Sequence, residues 1–119
     1  MLNNISLTGY MANEPDLRAM LTGGSICRFQ VAVTRPRTAN GDGEVDFINV
    51  VTMNSTADFV NKFFKKGDPI SLVGRLQSRT MVEDDGRSEK FEKVYEVFAH
   101  TVEFVPKKSE SAPEQEELF

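Results

Sequence analysis

The chain has 119 residues, of which 39% are hydrophobic, and its formal net charge at pH 7 is −4. This length predicts one domain with a small core. No apolar run is long enough to span a bilayer, and the N-terminus lacks the basic-then-apolar pattern of a signal peptide. The single cysteine, Cys27, excludes an internal disulfide and is typical of a reducing, cytoplasmic environment.

The charge is unevenly distributed along the chain. Residues 110–119 carry four glutamates and no Lys or Arg, so residues 1–109 hold 14 basic and 14 acidic side chains. A polyanion would therefore have to bind a local basic patch. Residues 107–119 are rich in Ser, Pro, Glu and Gln and bury too little apolar surface to fold alone. We therefore predict a folded domain over 1–106 and a disordered acidic tail over 107–119.

Alternating apolar residues predict two strands in the first third of the chain. The first covers residues 2–11, where Gly9 indicates a bend or bulge, and residues 17–20 resume the pattern after a break at Pro15. The second covers Ser25–Thr34, with Cys27, Phe29 and Val31 on a core-facing side. Residues 35–43 contain Asn-Gly and Asp-Gly pairs, which predict a long hairpin loop with Arg35 and Arg37 at its base.

Residues 44–53 form the clearest strand. Ile48 and Val50 share the face that enters a core. Phe47, Asn49, Val51 and Met53 lie on the opposite face, outside the core. These residues alone leave open whether Phe47 is packed or binds a ligand.

A helix is predicted to open at Ser55, which would cap it, with Asp58 near the positive end of the helix dipole. Its apolar stripe could be mistaken for an aromatic nucleic-acid platform, but helical spacing favours core packing. The stripe consists of Phe59, Val60, Phe63 and Phe64.

Two more strands follow, over residues 70–81 and 91–105. One face of the fourth strand is polar and is either solvated or a binding surface; it carries Arg75, Gln77, Arg79 and Met81. In the fifth strand Val94, Phe98, Val102 and Phe104 form an apolar face, which His100 shares, and Lys93, Tyr95 and Val97 lie on the other face. Residues 83–88 are a hairpin tip with an Asp-Gly turn, and its acidic side chains are solvated rather than metal ligands.

Five strands with one helix between the third and the fourth predict an all-β fold, the five-stranded Greek-key OB-fold barrel. That fold binds oligonucleotides or oligosaccharides on its second and third strands, between two loops. Here the loops are residues 35–43 and 82–90, and they would converge with Phe47 and the polar row of the fourth strand. Rings stack on every base, and arginines pair with phosphates, so this surface suits single-stranded nucleic acid.

The chain resembles the bacterial and phage single-stranded DNA-binding proteins across residues 1–105. The resemblance rests on Leu7-Thr8-Gly9, Glu14-Pro15-Asp16-Leu17-Arg18, Phe29-Gln30-Val31-Ala32-Val33, Asp46-Phe47-Ile48-Asn49-Val50-Val51, Lys66-Gly67 and Gly74-Arg75-Leu76-Gln77-Ser78-Arg79.

The resemblance implies sequence-independent binding of single-stranded DNA in replication, recombination and repair. It also implies a homo-oligomer, a tetramer in most bacterial members, with a dimer as the alternative. The family has aromatic residues where this chain has Arg37, Met53 and Met81, so we expect weaker binding per site and more reliance on ionic contacts. The expected DNA-binding residues are Phe47, Asn49, Met53, Arg35, Arg37, Arg75, Gln77, Arg79, Met81 and Arg87.

The end of the chain resembles the acidic tip through which the family recruits replication and repair proteins. Leu118 stands where a proline is usual, and the short linker suggests a phage or mobile-element origin. An alternative role is competition between the acidic tail and DNA for the basic groove. The expected partner-binding residues are Glu116, Glu117, Leu118 and Phe119.

An enzymatic function is not expected. His100 and Cys27 are the only residues of their types, no nucleophile–base pair can be assembled, and no phosphate loop is present. Neither a metal nor a cofactor is expected. The rival function is that of an OB-fold replication-restart accessory protein that binds protein or RNA.

Overall fold

A computed structural model describes residues 1–37, 43–84 and 86–106, except for the side chain of Glu83. It contains six strands and one helix in the order β1 (Ile5–Met11), β2 (Asp16–Ala19), β3 (Ser25–Thr34), β4 (Val45–Met53), α1 (Asn54–Phe63), β5 (Pro69–Asp84) and β6 (Glu89–Phe104). The first predicted strand is therefore shorter than expected and the fourth is longer. The resumed pattern at residues 17–20 is a separate strand, β2.

The strands form one sheet in the order β1-β5-β6-β4-β3-β2, and an additional pairing of β1 with β3 closes it. The closed part is a barrel of β1, β3, β4, β5 and β6, while β2 extends the free edge of β3. The pairing of β4 with β6 is parallel, and the others are antiparallel. This is the Greek-key OB-fold barrel, so the predicted fold is confirmed.

Gly9 lies where β1 changes its partner strand. Residues Ile5 to Tyr10 pair with β5, whereas Tyr10 and Met11 pair with β3. A Cβ atom on residue 9 would contact the carbonyl oxygen of Ala32. Glycine at this position therefore permits β1 to approach β3 closely enough to close the barrel.

The core follows the alternation predicted for β3 and, except at Val51, for β4: the alternation predicts Val51 outside the core, but its side chain is buried. Cys27, Phe29 and Val31 are buried, and so is Val50 from β4. Burial raises the pKa of the Cys27 thiol to about 11, with a smaller contribution from the charge of Asp16. The thiol is therefore protonated and poorly nucleophilic near neutral pH.

The predicted faces of β6 are wrong in its central part. Val97 and Ala99 point into the core, and His100 is exposed, with Nδ1 3.0 Å from the hydroxyl of Thr101. The cause is a β-bulge, because Val73 pairs with Thr101 while Gly74 pairs with Ala99. His100 is the extra residue of the bulge, and it reverses the alternation on either side of itself.

The helix starts one residue earlier than predicted, at Asn54, and no side chain caps it. Ser55 is therefore not the cap, and the first turn contains no acidic residue. Asp58 instead accepts a hydrogen bond from the hydroxyl of Ser25, at 2.8 Å. No helix in the described part of the chain is long and apolar enough to cross a membrane.

The apolar stripe of α1 is only partly in the core. Val60 and Phe64 are buried, but the ring of Phe63 is 51% exposed. Phe59, Phe63, Phe64 and Phe104 pack on one another with ring centroids 5.1–5.9 Å apart. The core prediction therefore holds for Val60 and Phe64 and fails for Phe63.

Candidate nucleic-acid interface

One outer face of the barrel collects side chains from four strands. Residues that pair directly across neighbouring strands project from the same face. Phe47 and Asn49 of β4 pair with Ala32 and Gln30 of β3, and Val51 pairs with Phe98 of β6. Residues of β5 pair in turn with β6. The outer face therefore includes Arg28, Gln30, Ala32, Phe47, Asn49, Val51, Arg75, Gln77, Arg79, Met81, Glu92, Val94, Glu96 and Phe98.

Phe47 is the most exposed ring of this face. It is 61% exposed, and its neighbour across the strand pair is the small side chain of Ala32. Next to it, the Gln30 amide donates a hydrogen bond to Oδ1 of Asn49, at 2.9 Å. The ring is therefore outside the core, as predicted, and beside it lie amide groups that can both donate and accept hydrogen bonds.

A groove of about 390 Å³ crosses the middle of the outer face. Three of the predicted residues line it: Asn49, Arg79 and Met81. Residues that the sequence did not single out also line it: Asn13, Glu14, Asp16, Arg28, Gln30, Val94 and Glu96. The groove is lined by both acidic and basic side chains, so it is polar without being strongly cationic.

Glu96 is an unexpected carboxylate in the wall of this groove. Its side chain is only 4% exposed, and it is the one buried charged residue of the described chain. Its Oε1 accepts a hydrogen bond from Nε2 of Gln77 at 3.2 Å and lies 3.4 Å from Nε of Arg79. Part of the Arg79 charge is therefore already balanced by the protein. The sequence pattern did not predict this arrangement, because the bulge at His100 determines which β6 residues face outward.

The sequence pattern placed Phe98 on the apolar face of the fifth strand, whereas the structure places it on the outer face. It pairs with Arg75, and the Arg75 guanidinium lies over its ring, 4.6 Å from the centroid. Phe98 is partly buried and Arg75 is exposed. The outer face therefore carries a guanidinium that rests on an aromatic ring.

Arg35 does not join this face. Its Nε and Nη2 donate to the two carboxylate oxygens of Asp46, at 2.9 and 2.8 Å, and Nη1 donates to Glu44 at 2.8 Å. Asp46 pairs with Val33, which packs against the core, so this ion-pair group projects from the face opposite Phe47. The hydrogen bond from Arg35 holds the pKa of the Asp46 carboxyl below its usual range.

The remaining predicted residues lie at the end of a strand or outside the strands. Met53 is partly exposed at the end of β4, opposite Ile26. Arg37 is exposed beyond the end of β3, and Arg87 is exposed in the turn between β5 and β6. In that turn Asp84 accepts a hydrogen bond from the Gly86 amide, at 2.8 Å. Among the described residues no group of acidic, His or Cys side chains could hold a metal ion.

Comparison with known proteins decides the family. A model of the single-strand binding protein family matches residues 2–105. The chain belongs to this family. Similar proteins include "Single-stranded DNA-binding protein 1" of Staphylococcus aureus strain Mu50, 34% identical over 98% of this chain and 73% of its own length. "Single-stranded DNA-binding protein 2" of Listeria monocytogenes is 38% identical, over 92% of this chain and 67% of its own.

Membership of the single-strand binding protein family confirms the resemblance seen in the sequence. A further relative, "Single-stranded DNA-binding protein" of Oceanobacillus iheyensis, is 36% identical over 91% of this chain and 66% of its own length. The family model covers the whole barrel and stops before the acidic tail. Glu116, Glu117, Leu118 and Phe119 lie outside the residues that the structure describes.

We predict that Arg35→Gln raises the pKa of the Asp46 carboxyl toward its ordinary value, because the substitution removes the hydrogen bonds and the positive charge that lower it. An NMR titration of the side-chain carboxyl carbons measures this change. Arg18→Gln is the matched control, since Arg18 pairs with Asp16 instead. An Asp46 pKa that stays low in Arg35→Gln would contradict the ion pair.

Proposed function

We propose that this chain binds single-stranded DNA without sequence preference and protects it during replication, recombination and repair. The observation that carries the proposal is the exposed ring of Phe47, beside the Gln30–Asn49 amides and an arginine row on one face of an OB-fold barrel. Membership of the single-strand binding protein family supports it. The chain acts as a binding protein and not as an enzyme.

The physical basis is a combination of stacking and ionic contacts. Each base stacked on an aromatic ring contributes roughly 1–3 kcal/mol, and every base has a π-face, so sequence matters little. Arg28 and Arg75 are exposed on the same face as Phe47 and can reach phosphates. Each phosphate neutralised releases counterions, so binding weakens as salt rises.

Binding of matched nucleic acids tests the proposal. The ligands are labelled oligo-dT, duplex DNA and RNA of equal length, since the chain has no Trp whose fluorescence could be followed. A strong preference for oligo-dT supports the proposal. Equal binding to all three, or no binding, would instead favour an OB-fold accessory protein that binds protein or RNA.

We predict that Phe47→Ala lowers the affinity for oligo-dT by about 10- to 100-fold, the loss expected for one stacked base. The melting temperature should change little, because the ring is mostly exposed. Phe63→Ala is the matched control: its ring is similarly exposed but lies on α1 and not on the outer face. Unchanged affinity with a lowered melting temperature would assign Phe47 to packing.

We predict that Glu96→Gln strengthens binding at low salt, because it leaves the Arg79 charge without its carboxylate partner. A gain of one phosphate contact steepens the dependence of log K on log salt by about 0.7 for a single strand. Glu92→Gln is the control, since it removes a charge from the same face of β6 at a position paired with Met81. Weaker binding by Glu96→Gln would show that the carboxylate positions Arg79 for binding.

The C-terminal tip is proposed to recruit replication and repair proteins. Phe119 would anchor in an apolar pocket of the partner, and Glu116 and Glu117 would steer it toward basic surfaces. Deletion of residues 114–119 should then abolish capture of partners while DNA binding persists. If the tail competes with DNA, the same deletion tightens binding of oligo-dT at low salt. Intact partner capture after deletion would contradict the recruiting role.

We also propose that the chain forms a homo-oligomer, a tetramer or a dimer, in the cytoplasm of a bacterial cell or of a phage-infected host. Exposed apolar side chains lie on the face of the β5–β6 hairpin opposite the arginine row, where a second copy would cover them. Light scattering coupled to gel filtration measures the state directly. The side chains are Leu76, Val82, Phe91 and Tyr95.

A further inference from the structure

Arg75 and Phe98 form a cation–π pair on the outer face. The Arg75 guanidinium lies 4.6 Å from the centre of the Phe98 ring. Phe98 is adjacent to Val51 of β4 and opposite Arg75 of β5, so three neighbouring strands hold the ring in place. Arg75 is exposed while its guanidinium lies over the ring, so the side chain remains accessible to a ligand.

The arginine side chains differ in the groups that they contact. Arg35 is bound to two carboxylates, and Arg79 lies beside the buried Glu96. Within residues 1–37, 43–84 and 86–106, Arg75 pairs with no carboxylate and is held by the Phe98 ring. A guanidinium on a ring keeps its charge and its plane while losing little further conformational freedom on binding. A flat, weakly hydrated cation in that state is suited to stack on another π-system.

The position of the pair relative to Phe47 also fits a single strand. Phe47, Asn49 and Val51 follow one another on the outer side of β4, and Val51 is beside Phe98. Phe47 and Val51 are roughly 13 Å apart along the strand, at about 3.3 Å per residue. A strand that reaches both positions passes over the Gln30–Asn49 amides between them.

We propose that Arg75 on Phe98 is a second stacking platform, on which a nucleobase of the bound strand lies against the guanidinium in a base–guanidinium–phenyl stack. The proposal rests on the proposed function, since it assigns a base position within the same site. It separates the role of Arg75 from that of a simple phosphate contact. In the platform the plane of the side chain matters, whereas in a phosphate contact only its charge does.

The test compares Arg75→Lys with the unchanged protein on two ligands, oligo-dT and an abasic strand of the same length. Lysine keeps the charge but has no planar face to stack. We expect Arg75→Lys to bind oligo-dT about 3- to 10-fold more weakly and the abasic strand within about 2-fold of the unchanged protein. Arg79→Lys is the matched comparison and should leave the ratio of the two affinities unchanged.

Phe98→Leu provides a second variant that alters no charge. It removes the ring under the guanidinium and should reproduce the selective loss on oligo-dT, with the melting temperature reporting any loss of packing. Equal losses on both ligands in Arg75→Lys, or no loss on either, would overturn the platform. If the unchanged protein does not prefer oligo-dT over duplex, the proposed function itself fails. A preference for oligo-dT that Arg75→Lys leaves intact overturns only this inference.

Discussion

The β-bulge at His100 determines what the outer face of the barrel contains. In a strand, a shift of one residue moves every side chain to the opposite face. Without the extra residue, Val97 and Ala99 would leave the core, and Glu96 and Phe98 would turn inward. Gly74 makes the bulge possible, because a Cβ atom there would contact the carbonyl oxygen of Phe98. Gly74 on β5 thus permits the bulge that places Glu96 and Phe98 of β6 on the outer face.

The bulge also sets the electrostatics of the groove. Glu96 reaches the side chains of Gln77 and Arg79 only because it faces outward. A nearly buried carboxylate requires hydrogen-bond or charge partners, and the polar row of β5 supplies them. The row is therefore not a set of equivalent cations: Arg79 is partly balanced by the protein, whereas Arg75 is held by a ring and keeps its full charge for a ligand.

The strands whose alternation is uninterrupted could be predicted from the sequence, and the others could not. In β3 and β4 each residue pairs in regular register, so the buried Phe29 and the exposed Phe47 follow from position alone. In β6 the bulge breaks this rule. A glycine inside a strand, such as Gly74, indicates a bulge, but it does not show where on the partner strand the extra residue lies. The start of α1 differs from the prediction for another reason. Ser55 is of a residue type that caps helices, but no side chain caps this one. Arg35 stands at the base of the predicted hairpin loop, and that position does not determine which side of the sheet its side chain faces; the structure shows it bound to Asp46.

The distribution of rings over the surface bears on how the barrel can bind a strand. Met53 and Met81 can pack on bases but stack on them less strongly than aromatic rings do. Phe47 is the most exposed ring of the outer face, and a second planar surface is present elsewhere on that face. The Arg75–Phe98 pair provides this second surface beside Val51, which is four residues after Phe47 on β4. The pair carries a positive charge that a tryptophan lacks. A surface of this kind combines stacking and phosphate attraction at one position, so its binding energy depends on both the bases and the salt concentration.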